Sequence, residues 1–247
     1  MRCAALLIIA IAVLATPASA AAGDPPRLRA VVSSCQTGLD AATRSAAFTA
    51  SMPADEDTVR MAIRFDLQQR TVDGGVWTRV PAPSFGRWER SRRGVAGFVY
   101  AKDVHGLTAP GEYRAVVRFR WWSSDGTVRN VRKVTRICRQ PDQRPNLVPG
   151  RLEVLPSASG PATYRLVVKN TGRTPAAAFA VALALDGAEA ARAPVMGLAP
   201  GAATTVALVA PSCAGGHAVE LRVDAAGAVD EASEEDGVVR PVCPLSG

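Results

Sequence analysis

Over residues 112–122 the chain alternates with a period of two. Tyr113, Ala115, Val117, Phe119 and Trp121 fall on one side, and Arg114, Val116, Arg118, Arg120 and Trp122 on the other. Successive side chains of extended backbone point to opposite faces, so the pattern predicts a strand with one dry and one wetted face. Residues 59–68 repeat it, with Val59, Met61, Ile63, Phe65 and Leu67 inward and Arg60, Ala62, Arg64, Asp66 and Gln68 outward. Further strands are predicted at 28–35, 44–52, 76–80, 97–102 and 127–138.

The second half alternates in the same way. Tyr164, Leu166 and Val168 oppose Arg165, Val167 and Lys169, and Phe179, Val181, Leu183 and Leu185 follow, closing at the hairpin dipeptide Asp186-Gly187. Strands are also predicted at 204–209, at 217–223 with His217, Val219, Leu221 and Val223 inward, and at 238–242. Each short strand can bury only one face and needs a second sheet to cover it. The predicted fold is all-β: two tandem immunoglobulin-like antiparallel sandwiches. Leu107-Thr108-Ala109-Pro110-Gly111-Glu112-Tyr113 resembles the leucine-to-tyrosine approach to a late strand in fibronectin type III and immunoglobulin-like sandwiches, which implies that the tyrosine hydroxyl satisfies backbone at the corner.

Between the halves lies Arg139-Gln140-Pro141-Asp142-Gln143-Arg144-Pro145-Asn146, polar and twice interrupted by proline, which cannot donate to a ladder. It reads as a joint. The expected division is a signal peptide at 1–22, a sandwich at 23–140, a linker at 141–146 and a second sandwich at 147–247. The leader rests on Arg2, the apolar run 4–14 and the small-residue site Ala18-Ser19-Ala20. That run is too short to span a bilayer, which takes ~20 residues. Cys3 precedes it and leaves with the leader.

Export implies an oxidising compartment, where Cys35, Cys138, Cys213 and Cys243 persist as disulfides. Four cysteines allow three pairings. The linker selects Cys35–Cys138 and Cys213–Cys243, because either alternative would bolt one half to the other. With no CxxC pair and only His105 and His217 besides, zinc is not expected.

Charge is divided unevenly. Residues 24–140 carry 20 Lys+Arg against 11 Asp+Glu, and residues 141–247 carry 8 against 11. Arg60, Arg64, Arg114, Arg118 and Arg120 occupy the wetted parity of the two best strands and, if those strands share a sheet, form a basic face beside Trp122. Such a face would suit an anionic polymer, either a cell-wall polysaccharide or nucleic acid, the second being the less favoured partner. The plainer alternative is a solvated sheet surface whose arginines follow GC-rich codon usage and pair with Asp66 and its neighbours. Trp77, Trp88 and Trp121 read as core or sheet-cover residues.

Several pieces of the second half, in their order, resemble the bacterial cell-adhesion-related domain, CARDB. They are Pro145-Asn146-Leu147-Val148, Val168-Lys169-Asn170-Thr171-Gly172 with Ala176, Leu185-Asp186-Gly187, Leu198-Ala199-Pro200-Gly201, Gly216-His217, Val223-Asp224, and Val229-Asp230-Glu231 leading to Glu234-Glu235-Asp236. Gly237 stands where the family tends to have asparagine. The resemblance implies an exported immunoglobulin-like module of surfaces or adhesion, without catalysis or cofactor, whose partner is an unspecified protein or polysaccharide.

Asp224, Asp230, Glu231, Glu234, Glu235 and Asp236 offer oxygen ligands for calcium. Their spacing matches no EF-hand loop, and a solvated loop is the reading preferred. An enzyme is not expected. There is no GxSxG, HExxH or phosphate-cradling glycine loop, and the two histidines lie in different halves. A hydrolase using Asp66 with Glu112 is the third choice.

Overall fold

The computed structural model describes residues 26–157, 160–214 and 216–243; the expected signal peptide at 1–22 lies outside them. Nine strands make up the first half: β1 (Arg29–Thr37), β2 (Arg44–Pro53), β3 (Thr58–Thr71), β4 (Gly74–Arg79), β5 (Trp88–Arg90), β6 (Gly97–His105), β7 (Gly111–Ser123), β8 (Val128–Val134) and β9 (Cys138–Gln140). A sheet in the order β1-β2-β6 faces a larger one, β4-β3-β7-β8, to which β5 and β9 add short edges. Phe48 and Met52 of β2 close on Met61, Ile63, Phe65 and Leu67 of β3 and on Tyr113, Val117, Phe119 and Trp121 of β7. The inward parity of both leading strands is therefore the core, except that Val59 is half-buried.

Where a single strand is predicted at 127–138, the chain forms two. Val134 pairs with Val116 but Cys138 pairs with Tyr113, so one extra residue stands against β7, the arithmetic of a β-bulge. Thr135 marks the slip: its hydroxyl accepts the Ala115 N–H at 3.0 Å and donates to the Arg136 carbonyl at 2.9 Å. At the corner before β7, the Tyr113 hydroxyl donates to the Thr108 carbonyl at 3.0 Å.

The second half holds β10 (Leu147–Leu155), β11 (Ala162–Asn170), β12 (Phe179–Leu185), β13 (Ala188–Val195), β14 (Ala203–Ala210), β15 (Val219–Arg222) and β16 (Val238–Val239). The sheets β10-β11-β14 and β13-β12-β15-β16 enclose a separate core that includes Leu147, Tyr164, Leu166, Val168, Leu183 and Leu221. Asp186 and Gly187 turn β12 into β13 with φ of 50° and 83°, as a two-residue hairpin of mirror-image type requires. His217 departs from expectation: it is exposed in irregular chain ahead of β15. Asp186 draws it out, accepting the Ala218 N–H at 2.8 Å with one oxygen while the other lies 2.6 Å from His217 Nδ1.

Disulfides join Cys35 to Cys138 and Cys213 to Cys243. The first ties β1 to β9, so it closes the first sandwich at the point where its chain leaves.

Candidate functional site

β3 and β7 are neighbours, and their register sets the wetted face of the larger sheet. Arg60 lies opposite Trp122, Ala62 opposite Arg120, Arg64 opposite Arg118 and Gln68 opposite Arg114. All six residues singled out from the sequence are thus on one face. β8 adds Arg132 beside Arg118, and β5 adds Trp88 beside Arg64 and Arg90 beside Ala62.

Electrostatics divides that face into parts. In the middle, Asp66 is nearly buried although it has outward parity, because three arginines cover it: Arg118 at 2.6 Å, Arg64 at 2.9 Å and Arg79 at 3.3 Å. At the end where β7 starts, Glu112 is clasped by Arg139 at 2.6 Å and Arg70 at 2.7 Å. The Arg70 hydrogen bond is the largest cause that holds the Glu112 carboxyl below its usual range. A general acid would need the opposite shift. Asp66 stands opposite Val116, four residues along β7 from Glu112, so the two carboxylates sit in separate arginine clasps.

The tryptophans serve as platforms. Arg114 stacks on Trp77 at 3.9 Å, with Arg70 also over that ring at 4.6 Å, while Arg120 lies 4.4 Å from Trp88 and 5.7 Å from Trp122. The contacts on Trp77 and Trp88 cover those indoles with the least strongly hydrated of the side-chain cations. Trp121 alone faces the core, its indole N–H donating to the Pro53 carbonyl at 2.8 Å. Burial, then the positive charge of Arg132 and Arg70, lowers the pKa of Arg114. Cation crowds cation here.

Beyond Trp122 the face ends in a cleft of about 410 Å³ lined by Val59, Arg60, Arg90, Arg93, Trp122 and Ser123. Arg79, Arg90, Arg93 and Arg132 were not singled out from the sequence, because they lie in strands or turns with no hydrophobic alternation to fix their parity, and Arg70 was not because it falls just past the predicted stretch 59–68 of β3. The density of arginine in Arg87-Trp88-Glu89-Arg90-Ser91-Arg92-Arg93 is the signal that points to Arg90 and Arg93.

The acidic run of the second half meets the linker. The Leu147 N–H donates to the Glu231 carboxylate, the Asn146 side-chain amide donates to Asp236 at 2.9 Å, and Asp230 pairs with Arg144 at 2.6 Å. Asp224 accepts the Ala228 and Val229 N–H groups at 3.0 and 2.8 Å, and Glu234 accepts that of Glu231 at 3.0 Å. Asn170, fully buried, accepts from the Asn146 and Gly172 amides and donates to the Thr174 and Leu198 carbonyls. The Asn170-Thr171-Gly172 motif and the acidic run thus converge on one place, where they strap the linker to the sandwich, while Asp186 and His217 meet each other at the β12–β13 turn. Among the described residues no three His, Cys, Asp or Glu side chains group so as to hold a metal ion, and no helix is long and apolar enough to cross a membrane.

Residues 145–240 match the CARDB family. A comparison with curated proteins finds no match. Among solved structures, a domain described as part of a cell surface protein from Methanosarcina acetivorans is 25% identical over 42% of this chain and 95% of that one, with a TM-score of 0.38. The FN1–FN3 domains of chicken CNTN1 align at 14% identity over 89% of this chain and 68% of that one, with a TM-score of 0.22. At these TM-scores neither overlay bears on function.

Proposed function

We propose that this chain, with a CARDB-matching second half, is an exported, non-catalytic binding protein of the bacterial cell surface or extracellular space. It would consist of two units, residues 23–140 and 147–247, joined at 141–146, with a surface protein or polysaccharide as partner. The match over residues 145–240 carries this reading. Disulfides in both halves support an oxidising compartment. The arginine clasps on Asp66 and Glu112 favour a binding surface over paired-carboxylate hydrolysis. Cosedimentation of the purified protein with cell envelopes tests it: capture that persists as salt is raised is expected, and no capture at any salt would refute it.

A second reading is an anionic-polymer binder acting through the first sandwich. The observation that favours it is the register of β3 and β7, which brings Arg60, Arg64, Arg114, Arg118 and Arg120 onto one wetted face beside Trp122. Here capture should weaken steeply with salt, since each contact displaces counterions.

A further inference from the structure

The geometry points to a binding site for a carboxylated saccharide unit in the cleft formed by Arg60, Arg90, Arg93 and Trp122, an inference that rests on the anionic-polymer reading. The alternating strands alone would place binding at Arg64 and Arg118, but those guanidiniums are already committed to Asp66. Arg60, Arg90 and Arg93 differ. Among the described residues none of them has a carboxylate partner within ion-pair distance. Arg60 makes only a long bond, 3.4 Å, to the Ser91 carbonyl.

The site is held by backbone. After β5 the chain stays against β3: the Ser91 N–H donates to the Met61 carbonyl at 2.9 Å, the Met61 N–H donates to the Ser91 hydroxyl at 3.0 Å, and the Gly94 N–H donates to the Val59 carbonyl at 3.3 Å. Ser91 is buried, so Arg90 and Arg93 flank a fixed point, and Gly94 at φ 69° turns the chain away just beyond them. Across the cleft stands Trp122, directly opposite Arg60 in the ladder.

These parts fit one chemistry. A guanidinium fork matches a carboxylate with two parallel N–H donors, and an indole plane suits the C–H face of a sugar ring. The volume of about 410 Å³ falls within the ~300–1,000 Å³ usual for ligand sites. The cleft is continuous with the row Trp122, Arg120, Trp88, so further units of a polymer can run onto the sheet.

The test is titration of the full-length protein with polygalacturonate at fixed moderate salt. A single-stranded oligonucleotide of similar charge and neutral dextran run in parallel. Arg90→Gln with Arg93→Gln changes two exposed residues, and thermal melting checks that the fold survives. Loss of one charge-assisted contact is worth about 10-fold in affinity, so the double variant should lose at least that much. Arg132→Gln, on the same face but outside the cleft, should lose less than about 3-fold, in line with an exposed, diffuse charge. Trp122→Leu should weaken binding while leaving its salt dependence unchanged. Equal loss in the double variant and Arg132→Gln would overturn the cleft and leave the arginine-face reading standing. Tighter binding to the oligonucleotide than to polygalacturonate would overturn the ligand class. If the unaltered protein binds no polyanion, the arginine-face reading itself fails.

Discussion

Glu231 shows how one side chain can be both structural and costly. It is 3% exposed, accepts the Leu147 N–H, and stands among Glu234, Asp224 and Asp236. Burial first, and then those three charges, raise its pKa from 4.5 to about 7. A carboxyl that holds its proton more tightly when folded stabilises the fold below its unfolded pKa, and that stability is lost as pH rises through the folded value. The melting temperature should therefore decline between pH 4.5 and about 7. Glu231→Gln should flatten the decline while matching the unaltered protein at lower pH; an unchanged slope would count against it. Gly172 is constrained by space. A Cβ there would lie 2.5 Å from backbone atoms of Arg144, Pro145 and Asn146. Backbone cannot move aside cheaply, so Gly172→Ala should cost about 1–3 kcal/mol in chemical denaturation. Both residues belong to motifs visible in the sequence, but the reason for them was not, because one acts on the linker and the other on the first residue of β10, both remote in the chain.

At the level of the strand, what was legible depended on how strongly one face is buried. β3 and β7 could be read residue by residue because large apolar side chains alternate with arginine without a break. β13 was missed because Ala-Glu-Ala-Ala-Arg-Ala-Pro-Val offers little contrast between its faces, and β5 because three residues hold no period. Parity also has limits within a good strand. Asp66 has the wetted parity yet is 6% exposed, since three long side chains from its own and adjoining strands fold over it. Removing that charge should separate stability from binding. Asp66→Asn strips the charge from several charge-assisted hydrogen bonds and should cost about 1.5–3 kcal/mol. It also frees Arg64 and Arg118, so polygalacturonate affinity should rise several-fold. A fall in affinity with intact folding would show that Asp66 orders the face for its ligand.

For the whole molecule, two cores, an uneven charge and two intra-half disulfides were all legible, because cysteine positions and composition survive without knowledge of packing. The cleft at the end of the sheet was not: it needs the segment 91–94, which carries no periodicity, to lie against the start of β3. The disulfides differ in reach, with partners 103 and 30 residues apart. In the chain-entropy picture their closures are worth about 4.7 and 3.6 kcal/mol. Replacing Cys35 and Cys138 by alanine should therefore lower stability more than replacing Cys213 and Cys243. The longer bridge has a mechanical corollary. A tensile load entering ahead of Cys35 and leaving through the linker bypasses nearly the whole first sandwich, which becomes a shackle rather than a spring. In a single-molecule pulling experiment that sandwich should not lengthen until reductant is added, and should then release about 35 nm of contour at ~3.4 Å per residue. A protein stretched between a cell and its surroundings would thus keep its arginine-lined sheet in shape at forces that had already unravelled an unbridged neighbour.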